Sequence, residues 1–347
     1  MYRKEPSVPL RSSSSALYNN LCVLRAGERP RSCFGAVHEA SLCLVTSDGS
    51  GFTHRQLPAK EGSSGLGMAL LTQVRAGREG YRDPGVVGSV DMLEGLTLEE
   101  ELEGAPWCLP SLHWCPGNCC RSWLTLGLLS AQAVFARGIA AAAGSFICVG
   151  TSFGSVLVFD IPPKGTNITV SEVLEQHHEA ITDIAAELGQ SPDGAGDVVT
   201  ADDAGTLCVW RAGEEFTLLG KIPALGCSCS SVKLWNGIVA AGYGNGQIRL
   251  YEAATGVLCA EVNAHARWIY ALDLAPHTGK LLSGAEDSFV HVWKLSRDPD
   301  TDEVEIQHCH AECVTDTQVC GVRFCDPEGS SFAVTGYDLS EIFRYGK

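Results

Sequence analysis

One pattern recurs five times in the C-terminal two-thirds of this chain, and it limits the fold more than any other feature. The segments are Val149–Phe159, Thr200–Trp210, Ala241–Tyr251, Ser283–Trp293 and Thr335–Tyr345. Each ends in an aromatic residue, with an aliphatic residue three positions earlier. Nine positions before the aromatic stands a small residue: Gly150, Ala201, Gly242, Gly284 or Gly336. The aromatic anchors are 51, 41, 42 and 52 residues apart. Within a segment the order is apolar run, polar turn, apolar run. Ile238–Ala241 and Ile248–Tyr251, for example, flank Gly244-Asn245-Gly246. An Asn-Gly pair supplies the positive φ that a tight hairpin needs. Further strand-like runs precede the hairpins, such as Ile269–Leu274 and Val319–Phe324. Several short strands recurring at this spacing predict a radial array of sheets, an all-β propeller. Five units are legible in the sequence, and a closed ring is expected to need about six or seven. Phe34–Val37 and Leu42–Val45 are the expected source of one more.

These segments resemble the WD-repeat family. Trp210-Arg211, Tyr251-Glu252 and Trp293-Lys294 stand where that family places Trp-Asp, and Phe159-Asp160 is a near variant. The best-matched unit begins at Ala264-His265. There the resemblance implies a hydrogen-bonded chain of His265, Ser283, Asp287 and Trp293 that holds the blade together. The preceding unit offers His177, Thr200 and Trp210; Ala204 takes the expected aspartate position and Asp203 lies one residue away. Val199–Asp203, Ala241–Gly246 and Phe332–Asp338 resemble one narrower branch of the family. The resemblance implies a non-catalytic adaptor that assembles other proteins in the cytoplasm. Self-association, service in a signalling assembly, and recruitment to membranes or vesicles through partners belong to the same expectation. A substrate receptor of a ubiquitin ligase is a narrower version. Such receptors carry Trp-Asp-x-Arg, a pattern missing from Trp293-Lys-Leu-Ser and Trp210-Arg-Ala-Gly.

The chain divides into an N-terminal segment with partial blade strands (1–74), an atypical stretch (75–130) and the blades (131–347). The middle stretch carries acidic Glu99-Glu100-Glu101 and the run Trp114–Cys120, with no strand–turn–strand rhythm. Between about Arg75 and Ser130 the resemblance is expected to fail, as for a disordered or alternative-exon insert.

Charge and cysteine usage exclude several function classes. The chain has 25 Lys plus Arg against 41 Asp plus Glu, a net charge of −16. With no basic run to offset it, this surface repels phosphate backbones, so nucleic acid is not an expected partner. The longest apolar stretch, Leu124 to Gly150, is cut by Arg137. Its two parts are about 13 residues each, where a membrane span needs roughly 20. The N-terminus shows no apolar signal-peptide core. The 16 cysteines are scattered, several within strand-like runs such as Phe146–Val149. Without secretion they are expected to be reduced, in a cytosolic protein.

Candidate chemistry is set against plainer readings. Gly150-Thr-Ser152-Phe-Gly154 matches a nucleophile elbow, but that device needs a helix after the turn and here a strand follows. His265 and Asp287 could pass for an acid–base pair, yet their place in the repeat is architectural. Asp183 and Asp273 are expected at the rim or in turns. His113, Cys115, Cys119 and Cys120 form one cluster, and His308, Cys309, His310 and Cys313 another, the latter in a connecting loop. Neither has the paired spacing of a zinc site. No catalytic, cofactor or metal residue is therefore expected. The competing class is a propeller enzyme, a hydrolase or a zinc-dependent activity, which would gather reactive groups from several blades at one mouth.

Overall fold

Short apolar runs broken by Gly, Asn and Asp turns become strands, since each run can bury both faces only between two other sheets. The structure is a computed structural model. It describes residues 1–26, 31–38, 41–47, 51–58, 136–161, 169–188, 196–298, 300–301, 303–314 and 316–347. The stretch 75–130 lies outside them, as do His113, Cys115, Cys119 and Cys120.

The described residues form six four-stranded antiparallel sheets. Strand β1 (Arg3–Pro9) belongs to the last of them. Blade I is β2 (Cys22–Ala26), β3 (Arg31–His38), β4 (Ser41–Ser47) and β5 (Phe52–Pro58). Blade II is β6 (Ala136–Ala142), β7 (Phe146–Thr151), β8 (Ser155–Asp160) and β9 (Thr169–Glu175). Blade III is β10 (Ile181–Ala186), β11 (Val198–Asp202), β12 (Leu207–Arg211) and β13 (Thr217–Ile222). Blade IV is β14 (Cys229–Trp235), β15 (Ile238–Tyr243), β16 (Gln247–Glu252) and β17 (Leu258–Asn263). Blade V is β18 (Ile269–Ala275), β19 (Lys280–Ala285), β20 (Phe289–Arg297) and β21 (Val304–Cys313). Blade VI is β22 (Val319–Phe324), β23 (Ser331–Gly336) and β24 (Glu341–Gly346), completed by β1 on the far side of β24. The five repeats supply blades II to VI. Phe34–Val37 and Leu42–Val45 lie in β3 and β4 of blade I.

Five apolar cores join the blades in the order II, III, IV, V, VI, I. The repeated small residue explains how closely they approach. A Cβ on Gly284 would sit 2.5 Å from Val319 and 2.6 Å from Val322, both in the inner strand of the next blade. Gly242 meets Ile269 in the same manner. The position is small because the neighbouring sheet occupies the space.

Strand β1 was not foreseen from the sequence. It pairs Arg3 with Gly346 and Lys4 with Tyr345, then shifts register between Glu5 and Val8, around Pro6. An outer strand with a bulge is where a strand proline is tolerated. Arg344 pairs with Glu5 at 2.9 Å, and Lys4 Nζ lies 3.8 Å from the Phe343 ring centre.

From Leu10 to Leu21 the chain then crosses from blade VI to the inner strand of blade I as a strap. Its backbone N–H groups donate to Ser340 O (from Leu10), Leu339 O (from Ser14), Val37 O (from Ser15), Tyr270 O (from Asn19) and Cys320 O (from Asn20). The Asn19 side chain reaches blades III and IV, donating to Asp183 at 3.2 Å and accepting from Ser231 Oγ at 3.2 Å. The strap thus contacts the inner strands of blades III, IV, V and VI. Gly321 leaves room for it: a Cβ there would lie 2.6 Å from the Asn20 carbonyl carbon.

Asp183 and Asp273 are not rim residues; they are 2% and 7% exposed. Asp183 accepts from Ser231 Oγ and Val232 N, both at 2.9 Å, with Lys233 Nζ at 3.8 Å. Asp273 accepts from Arg323 Nη1 at 2.9 Å and Phe324 N at 2.7 Å. Arg323 Nε in turn donates to Leu21 O of the strap at 3.0 Å. Each aspartate stitches one blade to the next. A strand interior is a poor place for a charge unless such partners exist, which is why both looked peripheral in the sequence.

Removing one partner from a buried charged cluster typically costs about 3 to 5 kcal/mol. Asp183→Ala, which leaves Lys233 buried without its carboxylate, should therefore lower unfolding free energy by about 3 kcal/mol or more, and Asn19→Ala by about 1 to 3. Urea unfolding at pH 7 checks this. Wild-type midpoints for both variants would contradict the stitching role.

Candidate functional site

The structure brings His265, Ser283, Asp287 and Trp293 together. His265 Nδ1 lies 3.1 Å from both Asp287 carboxylate oxygens, and its Nε2 lies 2.8 Å from Ser283 Oγ. Trp293 Nε1 donates to Ser283 Oγ at 3.0 Å. The carboxylate can only accept, so the Nδ1 proton is assigned to that bond. Nε2 then accepts the Ser283 hydroxyl. Every member is satisfied. Burial alone would raise the Asp287 carboxyl, but the His265 hydrogen bond and charge, with the N–H groups of Ala266 and Phe289, hold its pKa below the ordinary value.

Blade III repeats the chain. His177 Nε2 lies 2.7 Å from Thr200 Oγ1, which accepts from Trp210 Nε1 at 3.0 Å. The carboxylate is Asp202, 2.9 Å from His177 Nδ1, rather than Ala204's position or Asp203. It reaches over from the end of β11, and its other oxygen accepts from Thr206 N at 2.8 Å. Asp203 instead accepts from Ser228 Oγ at 2.7 Å. Burial opposes ionisation of Asp202 as well, and the His177 and Thr206 hydrogen bonds outweigh it, lowering its pKa.

The elbow-like Ser152 sits in the turn between β7 and β8, and a strand follows it. His308, Cys309, His310 and Cys313 are not in a loop; they belong to β21, the outer strand of blade V. The register shift at Cys309, which pairs His308 with Trp293 and His310 with Val292, turns the two histidines to opposite faces. His308 packs on Trp293, with ring centres 4.9 Å apart, while His310 packs on Tyr2 in the adjoining blade at 5.3 Å. Cys309 and Cys313 are exposed. Among the described residues no three metal-ligating side chains converge.

A further group of aromatic side chains lies together at one end of the blades. In each meander the turn between its second and third strands, and the connection leading to the next blade, lie at the same end. That end holds Tyr18 of the strap, Trp268 before β18, and Tyr270 within it. The Tyr18 and Trp268 rings stack with centres 6.3 Å apart and planes 11° apart, and Tyr18 meets Tyr270 at 5.1 Å. Gly244 lets the indole lie flat, since a Cβ there would stand 3.0 Å from it. The Arg137 guanidinium lies 5.3 Å from the Tyr18 ring centre. Tyr18 has its hydroxyl pKa raised by burial, with Arg137 opposing and Tyr270, Asp203 and Glu286 adding. Glu286 N donates to Trp268 O at 2.9 Å, next to this group.

Comparison with known proteins places this architecture. A family model described as WDR54 matches residues 1–101 and 111–347. WD repeat-containing protein 54 of Mus musculus is 53% identical over 100% of this chain and 99% of its own length. The Homo sapiens protein of the same name is 52% identical over 99% of both. The family match runs through much of 75–130, the stretch set apart in the sequence. Among solved structures, the WD40 β-propeller domain of Doa1 aligns with TM-score 0.57 and 11% identity, covering 100% of this chain and 97% of that one. A chain in the mitotic checkpoint complex aligns with TM-score 0.56 and 12% identity, covering 99% and 91%. At such identities these two likenesses concern the fold alone.

Stranding a buried polar partner costs roughly 1 to 3 kcal/mol, so His265→Ala and His177→Ala should each lose about that much stability. The lowered carboxyls set the pH dependence. Their contribution is present above the unfolded-state value near 4 and is lost as pH falls through the lower folded-state values. Thermal melts between pH 5 and 2.5 should thus fall less steeply for Asp202→Asn/Asp287→Asn than for wild type. Parallel slopes would contradict the networks. In a thiol titration, exposed Cys259, Cys309 and Cys313 should react first. Cys148, Cys208 and Cys320, whose pKa burial pushes up to about 12, should wait for unfolding. Rapid native reaction of those three would contradict the packing.

Proposed function

This chain belongs to the WDR54 family of WD-repeat propellers, and on that premise we propose that it is a non-catalytic scaffold that assembles other proteins in the cytoplasm. One observation carries the reading. Its reactive-looking constellations recur by blade position and lie buried within the sheets, where they satisfy one another. An enzyme would instead gather unlike groups from several blades around one accessible point. The 16 cysteines are scattered, several within strands, a distribution that fits a reducing compartment. No described helix is long and apolar enough to cross a membrane. Self-association, service in a signalling assembly, and membrane or vesicle recruitment through partners complete the proposal.

The −16 charge favours partners with basic patches, because complementary fields speed encounter. Crosslinking and mass spectrometry on the purified full chain, alongside pull-downs in rising salt, test the reading. Capture should weaken as added salt shortens the Debye length below about 10 Å. Salt-insensitive capture would count against the electrostatic part. In a broad hydrolase screen no turnover should be seen; reproducible turnover lost in Ser152→Ala would overturn the scaffold reading.

A further inference from the structure

Four of the chain's ten histidines belong to blade V and the connection leading into it: His265, His291, His308 and His310. His265 spends both ring nitrogens on Asp287 and Ser283. His310 lies on the face toward the adjoining blade, packed on Tyr2. The remaining two meet each other. His291 Nδ1, on β20, lies 2.9 Å from His308 Nε2, on β21. Spacing along the chain groups His308 with Cys309, His310 and Cys313, but strand pairing gives it a partner 17 residues away. The register shift between Val292 and Trp293 is the cause, because it sets His308 opposite Trp293, on the face that His291 shares.

Both rings are held from behind. The His291 ring centre lies 4.7 Å from that of His265, 5.5 Å from Trp293 and 6.0 Å from Phe289. The His308 ring lies 4.9 Å from Trp293. Asp287, bonded to His265, places a carboxylate one ring behind His291. His308 is exposed and His291 half-buried, so the facing nitrogens lie where solvent ions reach them. Their separation fits a chelate. Two imidazole nitrogens at about 2.0 to 2.1 Å from a tetrahedral zinc ion stand about 3.3 Å apart, so this pair needs to open by only about 0.4 Å.

We propose that His291 Nδ1 and His308 Nε2 chelate a divalent transition-metal ion of the Zn²⁺ class, with water in its other positions. Without metal, one of the two nitrogens donates a proton to the other. On binding, the donating ring moves that proton to its second nitrogen, so both lone pairs face the ion and both rings stay neutral. Imidazole suits zinc and copper, whereas magnesium and calcium prefer oxygen ligands. The site is therefore selective for the first pair.

The test uses the full chain, treated in its native state with iodoacetamide so that accessible thiols cannot take up metal. Isothermal titration with Zn²⁺ should show one more ion bound per chain in wild type than in His308→Ala. His291→Ala should weaken that site about ten-fold or more, since even outer-shell partners of a metal are worth about that much. His310→Ala, on the opposite face of the same strand, should bind as wild type does, and Mg²⁺ should not compete. Cu²⁺ serves as a spectroscopic probe. At one equivalent its electron paramagnetic resonance spectrum should show coupling to two nitrogens, lost in His308→Ala. Melting curves identify any variant that fails to fold, in which case the wild-type spectrum decides. Equal Zn²⁺ binding by wild type and folded His308→Ala, or no binding by wild type, would overturn the proposal. A Cu²⁺ spectrum without two-nitrogen coupling would overturn it as well. Partner capture in the pull-downs is a separate measurement, so the scaffold reading stands or falls independently.

Discussion

Everything in the described fold depends on each blade having a neighbour to pack against. A propeller sheet has two apolar faces and no layer of its own to cover them, so each blade is stable only while its neighbours are in place. The N-terminus joins blade VI to blade I twice. As β1 it completes blade VI against β24, and as the Leu10–Leu21 strap it ties blade VI to blade I while contacting blades III, IV and V. Chain ends that are distant in sequence are thereby held in one sheet. Backbone pairing supplies directionality, and the apolar contacts of Val8, Leu10 and Leu21 in the core shared by blades VI and I supply much of the favourable burial.

The polar groups of the two His-centred chains and of Asp183 and Asp273 are tolerated inside the sheets because each has a partner. The two His-centred chains tie strands within blades III and V, whereas Asp183 and Asp273 act between blades. A partly satisfied network would be worse than plain apolar packing. The stitching has a consequence for function. With its charged interior committed to holding blades and strap, the molecule has its exposed side chains left for contact with other molecules. Function then rests on surface complementarity over a rigid frame.

Much of this was legible in the sequence, and the exceptions have physical causes. Blades II to VI announced themselves through the aromatic anchor and the small residue nine positions before it, because both are forced by close packing between sheets. His265, Ser283, Asp287 and Trp293 could be placed together because blade V keeps the full spacing. In blade III the carboxylate comes from the strand end at Asp202 instead of the turn; the Asp202-Asp203 doublet was the available signal. Strand β1 escaped notice since Pro6 and its charged neighbours lack alternation, and its pairing partner lies at the other end of the chain. Asp183 and Asp273 were misplaced because nothing local shows that Asn19, Ser231 or Arg323 will approach them. Long-range partners of buried charges are invisible to spacing rules.

Native-state hydrogen exchange on the full chain tests the N-terminal tie most directly, since amides released only by global unfolding report the global stability. The account predicts that Val8, Asn19 and Asn20 exchange as slowly as the amides of β22 to β24, and at the same denaturant dependence. If the N-terminal amides exchange in seconds while blade VI stays protected, the strand and strap do not hold blades VI and I together, and the account is contradicted.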